Sequence, residues 1–224
     1  MRRGSCRIFL SRDGGWRQAL ARDFRIAPTD LNGKIDHLTG VVAMKTPIDQ
    51  YFDHIESVAG EGGIFYRIED DPKIVVAAYP DVPESGCLTA FSYGLSSAER
   101  KEWKNSRPEL VISVDSKDTA WAIAMGEIIR NGRGECLFSY GEIFNFDRPV
   151  SDESGMSSFL VFACDVLDSA DLKVILSDRI VYISQIYPIY KEETATIKAL
   201  GVERFFTSLS IDFFNTKRAP VILN

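Results

Sequence analysis

Residues 120–129 read AWAIAMGEII, ten positions with Glu127 as the only charge. The stretch sits in a helical pattern predicted over 118–131, opened by Ser116 or Asp118 and stopped at Gly132. A surface helix carries one apolar stripe, whereas this one is apolar nearly all round, so it must be buried against another layer. The segments on either side say what that layer is. IFYRIE (64–69), KIVVAAY (73–79), CLTAFSYG (87–94) and ELVISVD (109–115) precede the helix. GEIFNFD (141–147), FLVFACDV (159–166), KVILS (173–177) and RIVYISQIY (179–187) follow it. All are rich in β-branched and aromatic residues, and the first two flank Asp-Pro as a hairpin.

Further helices are predicted at three places. Thr46 caps and Pro47 starts a helix whose apolar stripe is Ile48, Tyr51, Phe52, Ile55, Val58 and Ala59, ending at Gly60. Two more close the chain near 190–199 and 202–209. Strands mixed with a few helices, without regular βαβ alternation, predict an α+β domain built on a largely antiparallel or mixed sheet. A chain of 224 residues, 45% hydrophobic and 26% charged, can bury a core of that size.

Charge divides the chain in two. Residues 1–45 hold nine Lys/Arg against four Asp/Glu, a net of +5. The other 179 hold 17 against 28, a net of −11, and together they give −6. The division is therefore read as a basic N-terminal head, 1–45, and a domain, 46–224. In the head, WRQALARDF places Trp16, Leu20 and Phe24 on one helical stripe, and turn residues follow. It is either a flexible basic arm or an over-extended start, and no function is assigned to it. An acidic body opposes nucleic acid and favours basic partners.

No apolar run approaches the roughly 18 residues of a membrane helix. The head offers only Ile8 to Leu10 where a signal peptide needs about 7–15 apolar residues, so a cytoplasmic protein is expected. The cysteines Cys6, Cys87, Cys136 and Cys164 form no CxxC pair and read as buried free thiols.

Motifs for chemistry are weak. His37 and His54 lack partners at metal-ligand spacing, and no metal or cofactor is expected. YGLSSAE lacks the second glycine of a nucleophile elbow, and GEGG (60–63) and NGRG (131–134) lack the P-loop Lys-Ser/Thr. The adjacent acids Asp70/Asp71, Asp152/Glu153 and Glu192/Glu193 are expected to diverge, since catalytic pairs converge from separate elements. Glu127 inside its apolar helix needs a partner, with Arg130 or Arg133 as the candidates. The reading is therefore non-catalytic, with a hydrolase using Glu127 or the paired acids as one alternative.

Five segments in order carry a resemblance. SRPELVISVD, DTAWAIAMGEIIRNG, FSYGEIFNF, SSFLVFACD and IVYISQIYPIYKEETATIKALGVERFFTSL resemble the suppressor-of-fused domain family. The matching positions are Glu109–Leu110, Trp121, Gly141–Glu142, Phe159–Phe162, Gln185–Pro188, Glu192–Glu193 and Gly201–Phe206; the helix ending DHIESVAGEGG (53–63) fits the family's opening helix. The likeness spans about residues 46–212, leaves the head without counterpart, and does not reach the second domain of the animal member. That protein's way of clamping a transcription-factor segment between two domains is therefore not carried over.

What the resemblance implies is a protein-binding module. Stand-alone bacterial members look like immunity proteins that neutralise a cognate toxin, often a basic nuclease, to which an acidic body is complementary. A regulatory scaffold that sequesters a peptide of a signalling or transcription protein is the other alternative. The candidate partner-binding residues are Glu142 and Asp147 around one strand, and Tyr187, Tyr190, Glu192 and Glu193 at the corner where the last strand meets a helix. That corner reads equally as packing. Pro188 is expected to end the strand ladder, and the two acids suit the positive end of the helix dipole.

Overall fold

The computed structural model describes residues 45–68, 71–207 and 209–223. The head apart from Lys45, with His37 and Cys6, lies outside them.

The chain folds as α1 (Pro47–Ala59), β1 (Ile64–Ile68), β2 (Asp71–Pro80), β3 (Leu88–Tyr93), β4 (Arg107–Val114) and α2 (Ala120–Gly132). It continues as β5 (Ile143–Asn145), β6 (Ser158–Phe162), β7 (Lys173–Ile175), β8 (Ile180–Ile189), α3 (Glu193–Leu200) and α4 (Val202–Thr207). Eight strands form one sheet in the order β1-β2-β3-β4-β8-β6-β5, with β7 also paired to β8. The β4–β8 pair is parallel and the other pairs are antiparallel. The α+β reading with a largely antiparallel sheet holds.

Helix α2 lies across one face, packed on β1 to β4. Trp121 is fully buried and meets Phe159 edge to face, 6.1 Å between ring centroids. Gly126 lets the helix settle on the hairpin, because a Cβ there would come within 2.6 Å of Ile68 Cδ1. Glu127 takes the first of its two expected partners: Arg130 Nη2 donates to it at 2.6 Å, and Arg133 turns to Asp71 instead. The predicted caps act one step removed. Asp118 Oδ1 accepts from Ala120 N, and Ser116 Oγ accepts from Asp118 N.

The opposite face carries α1, with Tyr51, Phe52 and Ile55 in a cluster that includes Phe65, Tyr93, Val174 and Val181. Thr46 and Asp49 form the reciprocal capping box that starts this helix. Beside it, α3, α4 and the C-terminal stretch 209–223 cover Ile143, Leu160, Tyr187 and Ile189.

Two expectations need correction. β8 runs through Pro188, which pairs with Phe159, and ends at Ile189. Pairing with β4 stops at Gln185, so beyond it β8 is bonded on one edge only, where a missing N–H is tolerated. Among the cysteines, Cys87 is a buried free thiol as expected, Cys164 is free but only half-buried, and Cys136 is disulfide-bonded.

Candidate interaction surface

The corner where β8 meets α3 is organised by one carboxylate. Glu193 has no exposed surface. Its Oε1 accepts from Arg218 Nη1 at 2.5 Å and Val221 N at 2.9 Å, and its Oε2 from Arg218 Nη2 and Tyr190 N, both at 2.9 Å. Two forks meeting in parallel make this a strong, directional pair. Tyr190, half-buried, donates its hydroxyl to Arg218 O at 2.5 Å and lies under the guanidinium. Together they strap the C-terminal stretch onto the domain.

Tyr187 is only 2% exposed. Its hydroxyl donates to Ala163 O at 2.7 Å, and its ring meets Phe206 and Phe213 edge-on. Burial, with Asp165 beside it, pushes this phenol well above its ordinary range. Glu192, one residue before Glu193, is exposed. The adjacent acids therefore diverge, one into the core and one into solvent.

Glu142 and Asp147 separate similarly. Glu142 is half-buried; its Oε2 accepts from Phe138 N at 2.7 Å and fixes a loop in which Phe138 adopts a φ of 56°. Burial raises its carboxyl above the ordinary value, partly offset by amides of residues 137–139 and by Arg100. Asp147 is exposed at the other end of β5, about 16 Å away at roughly 3.3 Å per residue. At that end Gly155 closes on the Tyr190 ring, with 3.1 Å left for a Cβ. The loop carrying Asp147, Asp152 and Glu153 thus abuts the corner carrying Tyr190 and Glu192. The structure brings Asp147, Tyr190, Glu192 and Glu193 to one end of the sheet and leaves Glu142 at the far end of β5.

Two features lie beyond the candidates named from sequence. The first is Glu109, fully buried in β4. Its oxygens accept from Ser92 Oγ (2.6 Å), Gly94 N (2.8 Å), Ser96 N (2.9 Å) and Ser96 Oγ (2.7 Å). Burial pushes the carboxyl up and these donors pull it back, leaving it raised. Ser96 also accepts from Arg179 Nε at 3.0 Å, so the serine of YGLSSAE is consumed in holding a loop. Gly94 is required there: at φ 120° a Cβ would fall 2.4 Å from Lys73 O. An acid inside an apolar strand was the available signal.

The second is an exposed apolar surface. Tyr140, Ile175 and Tyr182 are 41%, 73% and 36% exposed, three of the five exposed large hydrophobics among the described residues. Tyr140 lies beside Tyr182 and its phenol is pushed up to about 12, chiefly by burial. The alternation in KVILS and RIVYIS carries the signal, since it turns Val174 and Val181 inward and their neighbours out.

Among the described residues no group of three or more His, Cys, Asp or Glu is placed to hold a metal ion. No helix among them is long and apolar enough to cross a membrane. His54 Nε2 meets Asp171 O at 2.9 Å, a structural contact. A cleft of about 480 Å³ lies between Lys73, Ser97 and the end of α2, where Arg133 is paired with Asp71 and Arg130 with Glu127.

The sequence profile of the family described as Suppressor of fused protein (SUFU) matches residues 70–219. The chain belongs to the suppressor of fused family. Its fold is similar to that of a suppressor of fused homologue from Neisseria gonorrhoeae FA 1090, at a TM-score of 0.58 and 16% identity, covering 78% of this chain and 96% of that one. A structure of the Sufu-Fu complex matches at a TM-score of 0.60 and 16% identity over 78% and 92% of the two chains. Drosophila Suppressor of Fused matches at 0.54 and 18% identity over 75% of this chain, which spans about half, 49%, of that longer protein. No curated protein sequence matches.

Proposed function

We propose that this chain is a non-catalytic, stoichiometric protein-binding module, an immunity protein of the cytoplasm that neutralises a basic toxin by covering its active site. The observation that carries the reading is the exposed acids Asp147 and Glu192, with Asp152 and a Glu153 bridged by Lys217 beside them, at one end of the sheet of a domain whose residues 46–224 carry a net −11. Charge of one sign speeds capture of an oppositely charged partner and disfavours wrong ones. In this proposal Asp147 and Glu192 reach the partner, Tyr190 and Glu142 form half-buried rims, and Tyr187 and Glu193 support the corner from beneath. The fold match over 96% of the bacterial homologue supports a domain that works alone.

The acids best suited to chemistry by burial are each engaged in structure: Glu109 by serine hydroxyls and amides, Glu127 by Arg130, and Glu193 by Arg218. That favours binding over hydrolysis. The scaffold reading is favoured by the similarity to a Sufu-Fu complex structure and by the short β7, paired to β8 alone, which leaves an edge that an extended peptide can join.

The test is affinity capture with the full chain and residues 46–224 as baits, washed at low and moderate salt. A single basic protein held one-to-one, loosened by salt and lost with Asp147→Lys plus Glu192→Lys, is expected. An acidic partner, or retention insensitive to salt and to both substitutions, would refute the electrostatic mechanism. A peptide fragment that binds as tightly as the intact partner would select the scaffold reading.

A further inference from the structure

We propose that the apolar surface of the β7–β8 hairpin is a docking site for the chain's own basic N-terminal segment, residues 1–44. Three independent observations converge on that occupant.

The first is the surface itself. Register places Ile175 opposite Ile180 and Lys173 opposite Tyr182, while the alternate residues Val174 and Val181 go to the core under α1. The outward set therefore stands on the other face, and with Tyr140 it exposes two aromatic rings and an isoleucine that is 73% in solvent. A cluster of that kind marks a contact site more often than a solvated face.

The second is where the segment joins the domain. Lys45 O accepts from Gln50 Nε2 at 2.9 Å, and Gln50 Oε1 accepts from Ser177 N at 2.7 Å. Ser177 lies in the turn of the hairpin, so the chain enters the domain at the hairpin's tip. From there to Lys173, beside Tyr182, is four residues, about 13 Å at roughly 3.3 Å each. A handful of extended residues spans that distance.

The third is complementarity. Residues 1–44 carry eight Lys/Arg and four Asp, a net of +4, with Ile8, Phe9 and Leu10 and the stripe Trp16, Leu20 and Phe24 as apolar groups. Residues 163–179 carry Asp165, Asp168, Asp171 and Asp178 against Lys173 and Arg179, a net of −2, with Asp178 paired to Arg179. A tethered segment faces its site at a high effective concentration, so weak contacts suffice. A basic, apolar segment held there occupies the surface until a partner of similar chemistry displaces it. This goes beyond the proposed function and does not depend on it.

The experiment places p-benzoylphenylalanine at position 175 of the full chain, where the side chain is already in solvent, and maps the products of irradiation in dilute solution. Crosslinks within the monomer to peptides of 1–44 are expected. Their yield should fall roughly fivefold or more when Arg17→Glu, Arg22→Glu and Arg25→Glu are introduced together, with the melting temperature of the triple variant checked alongside. Products of dimer mass would assign the surface to a second copy and overturn the proposal. Crosslinks confined to residues 45–223, or a yield unchanged by the three reversals, would overturn it as well.

Discussion

The β8–α3 corner and the β7–β8 hairpin use the same strand to opposite ends. At the corner, tyrosines and acids turn inward: Glu193 clamps Arg218 and Val221, Tyr190 bonds Arg218 O, and Tyr187 is enclosed by phenylalanines. At the hairpin Ile175 and Tyr182 face water, beside the charged Lys173 and Asp178, while Val174 and Val181 turn inward. A cluster of Tyr and Glu is therefore no guide to an interface by itself. A buried carboxylate needs partners so badly that it recruits a segment of chain, whereas an isoleucine left in solvent has nothing in the domain to satisfy it.

The contrast breaks first, and most, at Glu193. Glu193→Ala leaves Arg218 buried without its charge partner and should cost about 3–5 kcal/mol in urea unfolding. Residues 209–223 should also become the first site of proteolytic cleavage. A cost below about 1 kcal/mol would mean that the strap is held by its aromatic contacts alone. Glu142→Ala, at the far end of β5, removes the acceptor for Phe138 N and should cost about 1–3 kcal/mol, with the loss confined to loop 137–139 in hydrogen exchange.

Glu109 sharpens the comparison through pH. Its folded carboxyl titrates above the ordinary value of 4.5, so just above that value the folded chain keeps a proton that the unfolded chain has released. Stability then falls as pH rises through the window between the two values. Glu109→Gln lacks that fall. The stability advantage of the parent over Glu109→Gln should therefore shrink as pH is raised from about 4 toward neutrality, measured by urea midpoints at each pH. An advantage that grows with pH would assign Glu109 a depressed carboxyl and a different environment. At the hairpin, Ile175→Asp should change stability by no more than about 0.5 kcal/mol, because that side chain is 73% exposed.

Much of the fold was legible in the sequence. The all-round apolarity of AWAIAMGEII required a covering layer, and the strand runs supplied it; Thr46, Pro47 and Asp49 located α1 to the residue. Strand ends were read less well. GEIFNFD shrinks to Ile143–Asn145 because its flanks pair irregularly, through Gly141 N to Val161 O and Phe146 N to Ser157 O. Pro188 looks like a terminator in sequence because nothing local says that β8 has lost one neighbour there. The candidate site was half legible. Glu192 and Glu193 are identical in sequence terms, and only the arrival of Arg218, 25 residues later, decides which one turns inward. Glu109 and the hairpin surface were visible as patterns, but their meaning depends on what packs against them.

The most direct test assays Glu192→Lys and Glu193→Gln side by side, for thermal stability and for retention of the captured partner. Surface acids that bind and a buried acid that clamps predict a clean separation. Glu192→Lys should keep the parent melting temperature and lose the partner at moderate salt, while Glu193→Gln should melt far earlier and still retain the partner at temperatures where it is folded. A stable Glu193→Gln, or a Glu192→Lys that holds its partner as the parent does, would contradict the account.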